Sequence, residues 1–534
     1  MSGRRIEAVA REAFGFEELR PGQREAIESV LEGRDTLVVM STGSGKSAIY
    51  EIAGFIKPGV TVVISPLIAL QRDQIEKIER RIPGEAAGIN SNVAEGARRE
   101  AFEEFSEGEL EYLFLAPEQL ANEEVLAEVR DAGPSLIVID EAHSISEWGH
   151  DFRPDYLRLG AFIAEMGHPT ILALTATASP PVREEIVERL NMRDPFVVVR
   201  GFDRPNIWLG VERFYGEAPK RRALVDATED ADKPGLVYAA TRRTAEELSA
   251  ELGATAYHAG MRAKQRDRIQ NDFMDDRIDV IVATTAFGMG IDKPNVRFVH
   301  HFDVSESVDA YYQELGRAGR DGEPARALLF YRPEDLGLRR FFAGGTLGVD
   351  VIQSVADAVF EKGEPVEPAE LRDELDLSDT KLATAVMRLE EAGALEALPT
   401  GEVAPGCGRD QLEDAVQRAA EQEEERHAFD RSRVEMMRAY AEHEGCRREF
   451  ILSYFGEEYE GPCGNCDNCD AGRGDASAAD RPFPVGARVE HAEWGEGAVQ
   501  RYDGDQMTVL FDTVGYKTLS VTLVLDAGLV TLSG

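Results

Sequence analysis

Short apolar runs, rich in β-branched residues, alternate with longer polar stretches through the first two thirds of the chain. Continuous apolar strands separated by polar helices are typical of parallel sheets that are covered on both faces. The runs form two sets with a break near 200–210, so the pattern predicts two α/β domains in tandem. The predicted strands are 35–40, 61–66, 112–117, 135–140, 170–176, 235–241, 279–285, 297–304 and 327–331.

The strand pattern stops after about residue 343. The segment 361–430 is strongly acidic, with 20 acidic and 7 basic residues, and the rhythm of 365–398 predicts two short helices leading to a strand. A longer helix follows and ends near residue 446. After a small, polar linker at 471–482, short alternating strands with glycine turns predict a small β-barrel.

The length of the chain, 534 residues, exceeds what one hydrophobic core supports, so roughly three or four domains are expected. The N-terminus lacks the apolar core of a signal peptide and no run reaches transmembrane length, so we expect a cytoplasmic protein without a membrane partner. The formal net charge of −40 argues on its face against nucleic acid. A local basic groove can coexist with that sum, so the charge leaves the partner open.

A glycine-rich turn, "STGSGKS" at 41–47, follows the first predicted strand. Glycines let backbone N–H groups curl around phosphates, while Lys46 reaches the terminal phosphates and Ser47 can hold Mg²⁺. The strict phosphate-loop pattern fails at one position, where Met40 replaces its first glycine. A chance glycine-rich turn is the alternative. The predicted nucleotide-binding residues are Thr42, Gly43, Ser44, Gly45, Lys46 and Ser47.

An acid pair ends the fourth predicted strand, in the sequence "DEAH". Asp140 is placed to bind Mg²⁺ through water, and Glu141 to orient and polarise the attacking water. An ordinary surface acid pair is the alternative, but this pair lies in the same predicted sheet as the phosphate loop. Together the two motifs predict nucleotide hydrolysis.

A pair of arginines, Arg317 and Arg320, lies in "YYQELGRAGRDG" near the end of the second sheet. Three residues apart on a predicted helix, they would point the same way. Such a pair usually forms a solvated face. Supplied across a cleft between the two domains, one of them could instead be the arginine finger that stabilises transition-state charge.

Three cysteines lie within seven residues, at Cys463, Cys466 and Cys469, although the whole chain has only five cysteines. Their spacing disfavours pairwise disulfides and suits one tetrahedral Zn²⁺ with a structural role. A redox switch is the competing interpretation. The candidates for the fourth ligand are Cys446, Cys407, His443 and His427.

These motifs together resemble the RecQ-type DNA helicases of superfamily 2. The segment "FGFEELRPGQ" (14–23) is similar to the adenine-reading motif of that family, with Phe16 and Arg20 flanking the base and Gln23 bonding its edge. The Met40 departure is normal within the family. Further matching segments follow in order: "ISPLIALQRDQ" (64–74), "ALTATA" (173–178), "YHAGM" (257–261) and "TTAFGMGIDKPNVRFVHH" (284–301).

The segment "SISEWGHDFRPDY" (144–156) resembles the aromatic-rich loop that couples single-stranded DNA contact to ATP hydrolysis in this family. Trp148 and Phe152 can stack on bases regardless of sequence, and Arg153 can meet a phosphate. Ordinary packing of Trp148 is the alternative. The resemblance implies further DNA contacts by His143 and His258.

The resemblance also selects Cys446 as the fourth zinc ligand, beside Cys463, Cys466 and Cys469. It implies an ATP-dependent helicase that uses ATP, Mg²⁺ and Zn²⁺, moves 3′ to 5′ on single-stranded DNA and unwinds duplex DNA in repair and recombination, at the nucleoid. Two alternatives remain: a translocase that does not separate strands, and a partner-recruiting adaptor with a vestigial ATPase.

The predicted architecture is two tandem RecA-like domains followed by smaller modules. A winged-helix domain commonly follows the zinc module in this family, whereas here a barrel follows, similar to the Tudor-like barrel of UvrD-type helicases. That likeness implies docking of a protein from the transcription or repair machinery. For the acidic insert, protein contact and a solvated spacer are both open. The predicted divisions are 1–203 and 204–342 (RecA-like), 343–405 (acidic, winged-helix-like insert), 406–472 (helical zinc module), 473–482 (linker) and 483–534 (SH3/Tudor-like barrel).

Overall fold

A computed structural model describes the chain outside a set of short gaps. It divides into two compact units, Met1–Asp335 with Met437–Ala479, and Leu336–Met436 with Asp480–Gly534. Among the described residues, no helix is long and apolar enough to cross a membrane. The residues not described are 1–2, 42, 67, 91–92, 94, 147–152, 154–155, 157, 289–292, 344–346, 399–401, 458, 460, 474–481 and 533–534.

The first unit begins with a seven-stranded parallel sheet in the order β3-β4-β2-β5-β6-β1-β7. Its central strands are wholly buried because apolar side chains line both of their faces. The strands are β1 Thr36–Met40, β2 Thr61–Ile64, β3 Ala86–Ile89, β4 Tyr112–Leu115, β5 Leu136–Ile139, β6 Thr170–Thr175 and β7 Phe196–Arg200. The helices are α1 Gly3–Glu12, α2 Gln23–Leu31, α3 Ser47–Ile56, α4 Ile68–Arg81, α5 Glu95–Glu107, α6 Glu123–Ala132, α7 Leu159–Glu165 and α8 Pro180–Arg189.

A second parallel sheet, of six strands in the order β10-β11-β9-β12-β13-β8, follows in the same unit. Its strands are β8 Ile207–Arg213, β9 Gly235–Tyr238, β10 Thr255–Tyr257, β11 Val280–Ala283, β12 Phe298–His301 and β13 Ala325–Tyr331. Its helices are α9 Glu217–Asp230, α10 Arg242–Leu252, α11 Ala263–Met274 and α12 Val308–Leu315.

The predicted tandem of parallel-sheet domains is confirmed, and each predicted strand coincides with a strand of the structure. Four further strands lacked a clear sequence signal. β3 is the short run "AAGI" and β10 has three residues, while β7 and β8 flank the predicted break. In the first sheet β6 separates β1 from β5, so the loops after β1 and β5 leave the same edge close together.

The second unit contains the predicted acidic insert and the barrel. In the insert, helices pack around an apolar core and precede a two-stranded antiparallel hairpin. Its elements are α13 Leu336–Ala343, α14 Val349–Lys362, α15 Pro368–Leu375, α16 Asp379–Glu391, β14 Leu395–Ala397 and β15 Val403–Pro405. The long helix α17, Leu412–Glu442, comes next, and α18 Arg447–Tyr454 and α19 Asp467–Asp470 complete the first unit.

The C-terminal segment forms a five-stranded antiparallel sheet in the order β19-β18-β17-β16-β20, in agreement with the predicted small β module. It packs on α17 within the second unit: the Tyr516 N–H donates to Ser432 Oγ at 3.0 Å, and the Tyr516 and Phe429 rings lie 6.0 Å apart. Its elements are β16 Arg488–His491, β17 Gly495–Asp503, β18 Gln506–Phe511, β19 Gly515–Ser520, α20 Val521–Ala527 and β20 Val530–Leu532.

Candidate functional site

The predicted phosphate loop joins β1 to the start of α3. Gly43 and Gly45 both have φ of 80°, a left-handed conformation that favours glycine, and α3 begins at Ser47. The Lys46 ammonium donates to the Met40 carbonyl at 2.9 Å and more weakly to that of Ser41 at 3.4 Å. This curled loop at a helix N-terminus has the form of a phosphate cradle. Thr42, also predicted here, lies outside the described residues.

The acid pair follows the carboxyl end of β5, at the same edge of the sheet. Asp140 is buried, and its carboxylate accepts hydrogen bonds from Gln74 Nε2 at 3.2 Å and from the Glu141 N–H at 3.0 Å. Burial, reinforced by the neighbouring Glu141 charge, raises the pKa of Asp140 to about 6. Burial lowers the pKa of Lys46, against the opposing effect of both carboxylates. The phosphate loop and the acid pair therefore lie close enough for their charges to influence one another.

Glu141 has a backbone conformation that is rare for its residue type. Its φ of 49° lies in the left-handed region, which costs a side-chain-bearing residue about 1–2 kcal/mol. Such conformations cluster at functional sites. The Glu141 carboxylate lies 3.4 Å from His143 Nδ1.

The segment predicted to read adenine is hydrogen-bonded to the phosphate loop. The buried Gln23 donates through Nε2 to the carbonyls of Ser44 at 3.1 Å and Gly45 at 2.9 Å, and its Oε1 accepts from the Arg20 N–H at 2.8 Å. The Arg20 guanidinium donates to the Gly43 carbonyl. The two predicted nucleotide motifs therefore form one hydrogen-bonded unit.

Arg317 and Arg320 lie differently from the prediction. The prediction that they share a helix is wrong, because α12 ends at Leu315 and both follow it in turns, with Gly319 (φ 56°) between them. Arg320 reaches the phosphate loop: a Cβ placed on Gly43 would lie 3.8 Å from its Cγ. Its charge also contributes to lowering the pKa of Lys46.

Arg317, by contrast, is buried against the second sheet. Its side chain hydrogen-bonds to Tyr238, the last residue of β9. The two parallel-sheet domains, or lobes, also touch beside the phosphate loop. There the Tyr312 hydroxyl of the second lobe contacts the side chain of Ser41 in the first. Of the two arginines, Arg320 is the one that faces the loop from the opposite domain.

The two histidines predicted to contact DNA are buried in this structure. His143 has no exposed surface, its Nδ1 lies 2.9 Å from Thr175 Oγ1, and burial lowers its pKa to about 3. His258 is paired with Glu246 at 3.0 Å. This conformation therefore offers neither imidazole to DNA.

The aromatic loop is described only in part. Trp148 and Phe152 lie outside the described residues. Arg153 donates through Nη1 to the Pro66 carbonyl at 3.1 Å, and its N–H donates to the Ser144 carbonyl at 2.9 Å. These bonds tie the loop to the segment after β2 and to the turn after the acid pair.

The four cysteines predicted as zinc ligands come together. The Sγ atoms of Cys446, Cys463, Cys466 and Cys469 all lie within 4.8 Å of one another, and those of Cys463 and Cys469 are 3.8 Å apart. Zn–S bonds of about 2.3 Å in a tetrahedron place sulfurs about 3.8 Å apart, so the group fits Zn²⁺. Cys407 lies in the other unit, beside the Ala394 carbonyl, and does not join the cluster.

The cysteine cluster is anchored to the edge of the second sheet. Asn468 Nδ2 donates to the His443 carbonyl, Arg447 pairs with Asp467 at 2.6 Å, and the Val211 N–H of β8 donates to Asp467. With four thiolates present, no ligand position remains for water, so zinc here stabilises the fold.

Three known protein families match consecutive parts of the chain. The family described as DEAD/DEAH box helicase matches residues 20–186, Helicase conserved C-terminal domain matches 219–322, and RecQ zinc-binding matches 409–470. The chain is 34% identical over 465 residues to the probable ATP-dependent DNA helicase RecS of Bacillus subtilis, covering 85% of this chain and 90% of RecS. The chain belongs to the RecQ family of ATP-dependent DNA helicases.

Other RecQ-family relatives agree with this assignment. The ATP-dependent DNA helicase RecQ of Haemophilus influenzae is 35% identical over 467 residues, covering 86% of this chain and 63% of that protein. Among solved structures, the DUF1998 helicase MrfA bound to DNA aligns with a TM-score of 0.52 at 16% identity, covering 77% of this chain and 63% of that one. At that identity the likeness concerns the fold alone. ATP, Mg²⁺ and Zn²⁺ are the ligands this family and this donor set call for.

Some residues of the site escaped sequence reasoning. Gln74 bonds to Asp140, and Gln71, one turn earlier on α4, donates to the Ser65 carbonyl at 2.7 Å. The Tyr156 hydroxyl donates to the Asp140 carbonyl at 2.9 Å. The sequence signal that could have identified them is the pair of glutamines, three residues apart, on the helix just after the buried strand β2. Tyr156 gave none, because its contact with the Asp140 carbonyl depends on tertiary packing and not on local sequence.

Proposed function

We propose that this protein couples ATP hydrolysis to 3′-to-5′ movement along one DNA strand and thereby unwinds duplex DNA during repair and recombination. The observation that carries this proposal is the convergence of four charged groups between two parallel-sheet lobes. Lys46, Asp140 and Glu141 come from the first lobe, and Arg320 reaches the same loop from the second. The direction of movement rests on family resemblance.

Each group of residues at this site has its own role in ATP hydrolysis. The glycine-rich backbone and Lys46 bind the phosphates, and Gln23 and Arg20 keep the base-binding segment in register with them. Ser47 and Asp140 are the groups placed to hold Mg²⁺, which when bound neutralises phosphate charge. Glu141 orients the attacking water through its carboxylate.

Closure of the two lobes completes this arrangement. Arg320 stabilises the charge that develops on the transferred phosphoryl group, which requires the second lobe to be in place. Because the finger comes from one lobe and the loop from the other, ATP binding favours the closed form and hydrolysis releases it. Alternation between the two forms moves the bound strand.

A path from the acid pair to the aromatic loop supports coupling to DNA. His143 bonds to Thr175 of β6, and its own segment continues through Ser144 to the backbone of Arg153. Trp148 and Phe152 are proposed to stack on unpaired bases. A strand held there would shift the loop, and that shift would reach Glu141 through His143, which acts as a positioning residue.

The remaining assignments belong to the same proposal. Zinc acts as a cross-link that holds the cysteine module on β8. The C-terminal module is proposed to dock a protein of the transcription or repair machinery, and the protein to act in the cytoplasm at the nucleoid. His258, Arg317 and the predicted domain boundaries remain predictions.

ATP hydrolysis with and without single-stranded DNA tests the proposal. Wild-type protein should hydrolyse ATP faster when unpaired DNA is added. Lys46→Ala should abolish hydrolysis, while Trp148→Ala should retain basal hydrolysis and lose most of the stimulation. Arg80→Met, on the exposed face of α4, is the matched control and should behave as wild type. Equal stimulation in wild type and Trp148→Ala would remove the aromatic loop from the coupling path.

A further inference from the structure

A buried carboxylate interrupts an otherwise apolar helix directly behind the phosphate loop. Helix α3 reads "SAIYEIAGFI", and Glu51 is its one charged residue. The Glu51 side chain is 3% exposed and lies one helical turn after Ser47. A carboxylate in such a place is costly unless it is paired and hydrogen-bonded, so its partners reveal what it does.

Glu51 has two such partners. Arg81, the last residue of α4, donates through Nη1 to Glu51 Oε2 at 2.7 Å. The Ser47 hydroxyl is the other, one helical turn earlier on the same face of α3. Burial raises the pKa of Glu51, and both partners oppose that effect, so the contacts favour the charged carboxylate.

Arg81 makes a second contact, on the base-binding side. Its guanidinium lies 4.7 Å from the centroid of the Phe16 ring, in cation–π geometry. Phe16 also packs beside Phe14, with ring centroids 6.4 Å apart. Arg81 therefore covers one face of the Phe16 ring, and Arg81 and Phe14 together fix the orientation of that ring.

The Ser47 contact has a direct chemical consequence. A serine hydroxyl binds a cation through its oxygen lone pairs, so its proton must point away from the metal. Glu51, one turn further along α3, is placed to accept that proton, and a proton held there turns the lone pairs of Ser47 Oγ towards the phosphate loop. The same carboxylate thus orients the metal ligand and anchors the arginine that orients the aromatic ring.

We propose that Arg81 and Glu51 are positioning residues that link base recognition at Phe16 to the Mg²⁺-binding hydroxyl of Ser47. The link runs from Phe16 through Arg81 and Glu51 to Ser47, and it rests on the nucleotide-hydrolysing function proposed above. A correctly stacked base then favours the Ser47 orientation that holds Mg²⁺. Neither Arg81 nor Glu51 touches the nucleotide.

Nucleotide and metal dependence of DNA-stimulated hydrolysis test the link. Two quantities are measured: the ratio of kcat/KM for ATP over GTP, and the Mg²⁺ concentration that gives half-maximal rate. Arg81→Met should lower the ratio and raise the Mg²⁺ requirement, each about tenfold, the effect of losing one charge-assisted contact of about 1.4 kcal/mol. The neighbouring Arg80 pairs with Glu76 on the surface, so Arg80→Met should change neither kinetic quantity.

Conservative variants separate the two halves of the link. Arg81→Lys keeps a charge for Glu51 but loses the planar guanidinium, so it should restore the Mg²⁺ response and leave base discrimination weakened. Glu51→Gln keeps an acceptor for Ser47, so its Mg²⁺ requirement should stay within about twofold of wild type. A merely structural ion pair would instead lower the thermal midpoint of Arg81→Met and leave both kinetic quantities unchanged.

The outcomes distinguish this link from the function beneath it. If wild type shows no DNA-stimulated hydrolysis, the proposed function fails. If wild type hydrolyses ATP normally and Arg81→Met matches it in base discrimination and Mg²⁺ response, the link is overturned and the function stands. If Arg81→Met is too unstable to assay, Arg81→Lys decides: retained base discrimination overturns the link, and its loss supports it.

Discussion

Gln23→Glu is the most specific perturbation of the contact between the predicted adenine-reading segment and the phosphate loop. The side chain keeps its length and its Oε1, which accepts from the Arg20 N–H. It replaces the Nε2 donor, which bonds the carbonyls of Ser44 and Gly45, with an acceptor that faces those carbonyls. The change therefore removes two loop contacts and leaves the third in place.

The magnitude follows from the burial of this contact. Gln23 is 3% exposed, so water does not readily replace the lost partners. Two buried hydrogen bonds of about 1 kcal/mol each give about 2 kcal/mol, which corresponds to roughly a 30-fold rise in KM. The added repulsion between the new oxygen and the loop carbonyls acts in the same direction.

Steady-state hydrolysis of ATP and GTP in saturating single-stranded DNA provides the assay. If Gln23 holds the loop, KM should rise for both nucleotides, because the loop binds the phosphates that they share. If Gln23 only reads the base edge, KM should rise for ATP alone. Gln265→Glu, at an exposed position of α11, controls for the added charge. A rise confined to ATP, or no rise at all, would refute the loop-holding role.

Three further predictions concern other parts of the molecule. Cys446→Ser should reduce bound zinc from about one ion per chain and lower the thermal midpoint, measured by elemental analysis and calorimetry. Burial raises the pKa of Glu111 to about 8, so the folded state keeps a proton that the unfolded chain releases, and stability falls between about pH 4.5 and 8. Glu111→Gln should therefore raise the midpoint by roughly 2–4 °C at pH 8.5 and change it little at pH 5. Gly515→Ala should loosen the C-terminal module from α17, because its Cβ would lie 2.3 Å from Ser432 Oγ and 3.1 Å from Phe429 Cα, as faster proteolysis of that module would report.

Matched controls sharpen these tests. Cys407→Ser lies outside the cluster and should keep its zinc. Gly504→Ala carries the same left-handed strain as Gly515→Ala, at φ 56°, but its Cβ meets no atom within 4 Å. Equal proteolysis of the two glycine variants would contradict the docking contact, and a pH-independent effect of Glu111→Gln would contradict the buried proton.

The two parallel sheets could be predicted because each central strand is a continuous apolar run. The phosphate loop and the acid pair follow such runs directly, so their meeting at one sheet edge was also predictable. The cysteine cluster was predictable from spacing together with family resemblance, and Cys446 indeed lies with the other three thiols.

Other features depended on contacts that local sequence does not encode. Arg317 and Arg320 continue a helical rhythm, but α12 ends at Leu315 and the two side chains diverge. His143 ends the nucleotide motif "DEAH" and was predicted from family resemblance to contact DNA, yet it is buried against Thr175. The pairing of Arg81 with Glu51 joins residues on two helices 30 positions apart, a distance at which periodicity carries no information.

Strand separation on tailed duplexes tests the central claim most directly. A fluorescent duplex with a single-stranded tail at the 3′ or the 5′ end is mixed with wild-type protein, ATP and Mg²⁺, and with Lys46→Ala in parallel. We expect ATP-dependent unwinding of the 3′-tailed duplex by wild type alone. Absence of ATP-dependent unwinding on either substrate, or unwinding that persists in Lys46→Ala, would contradict the proposed motor.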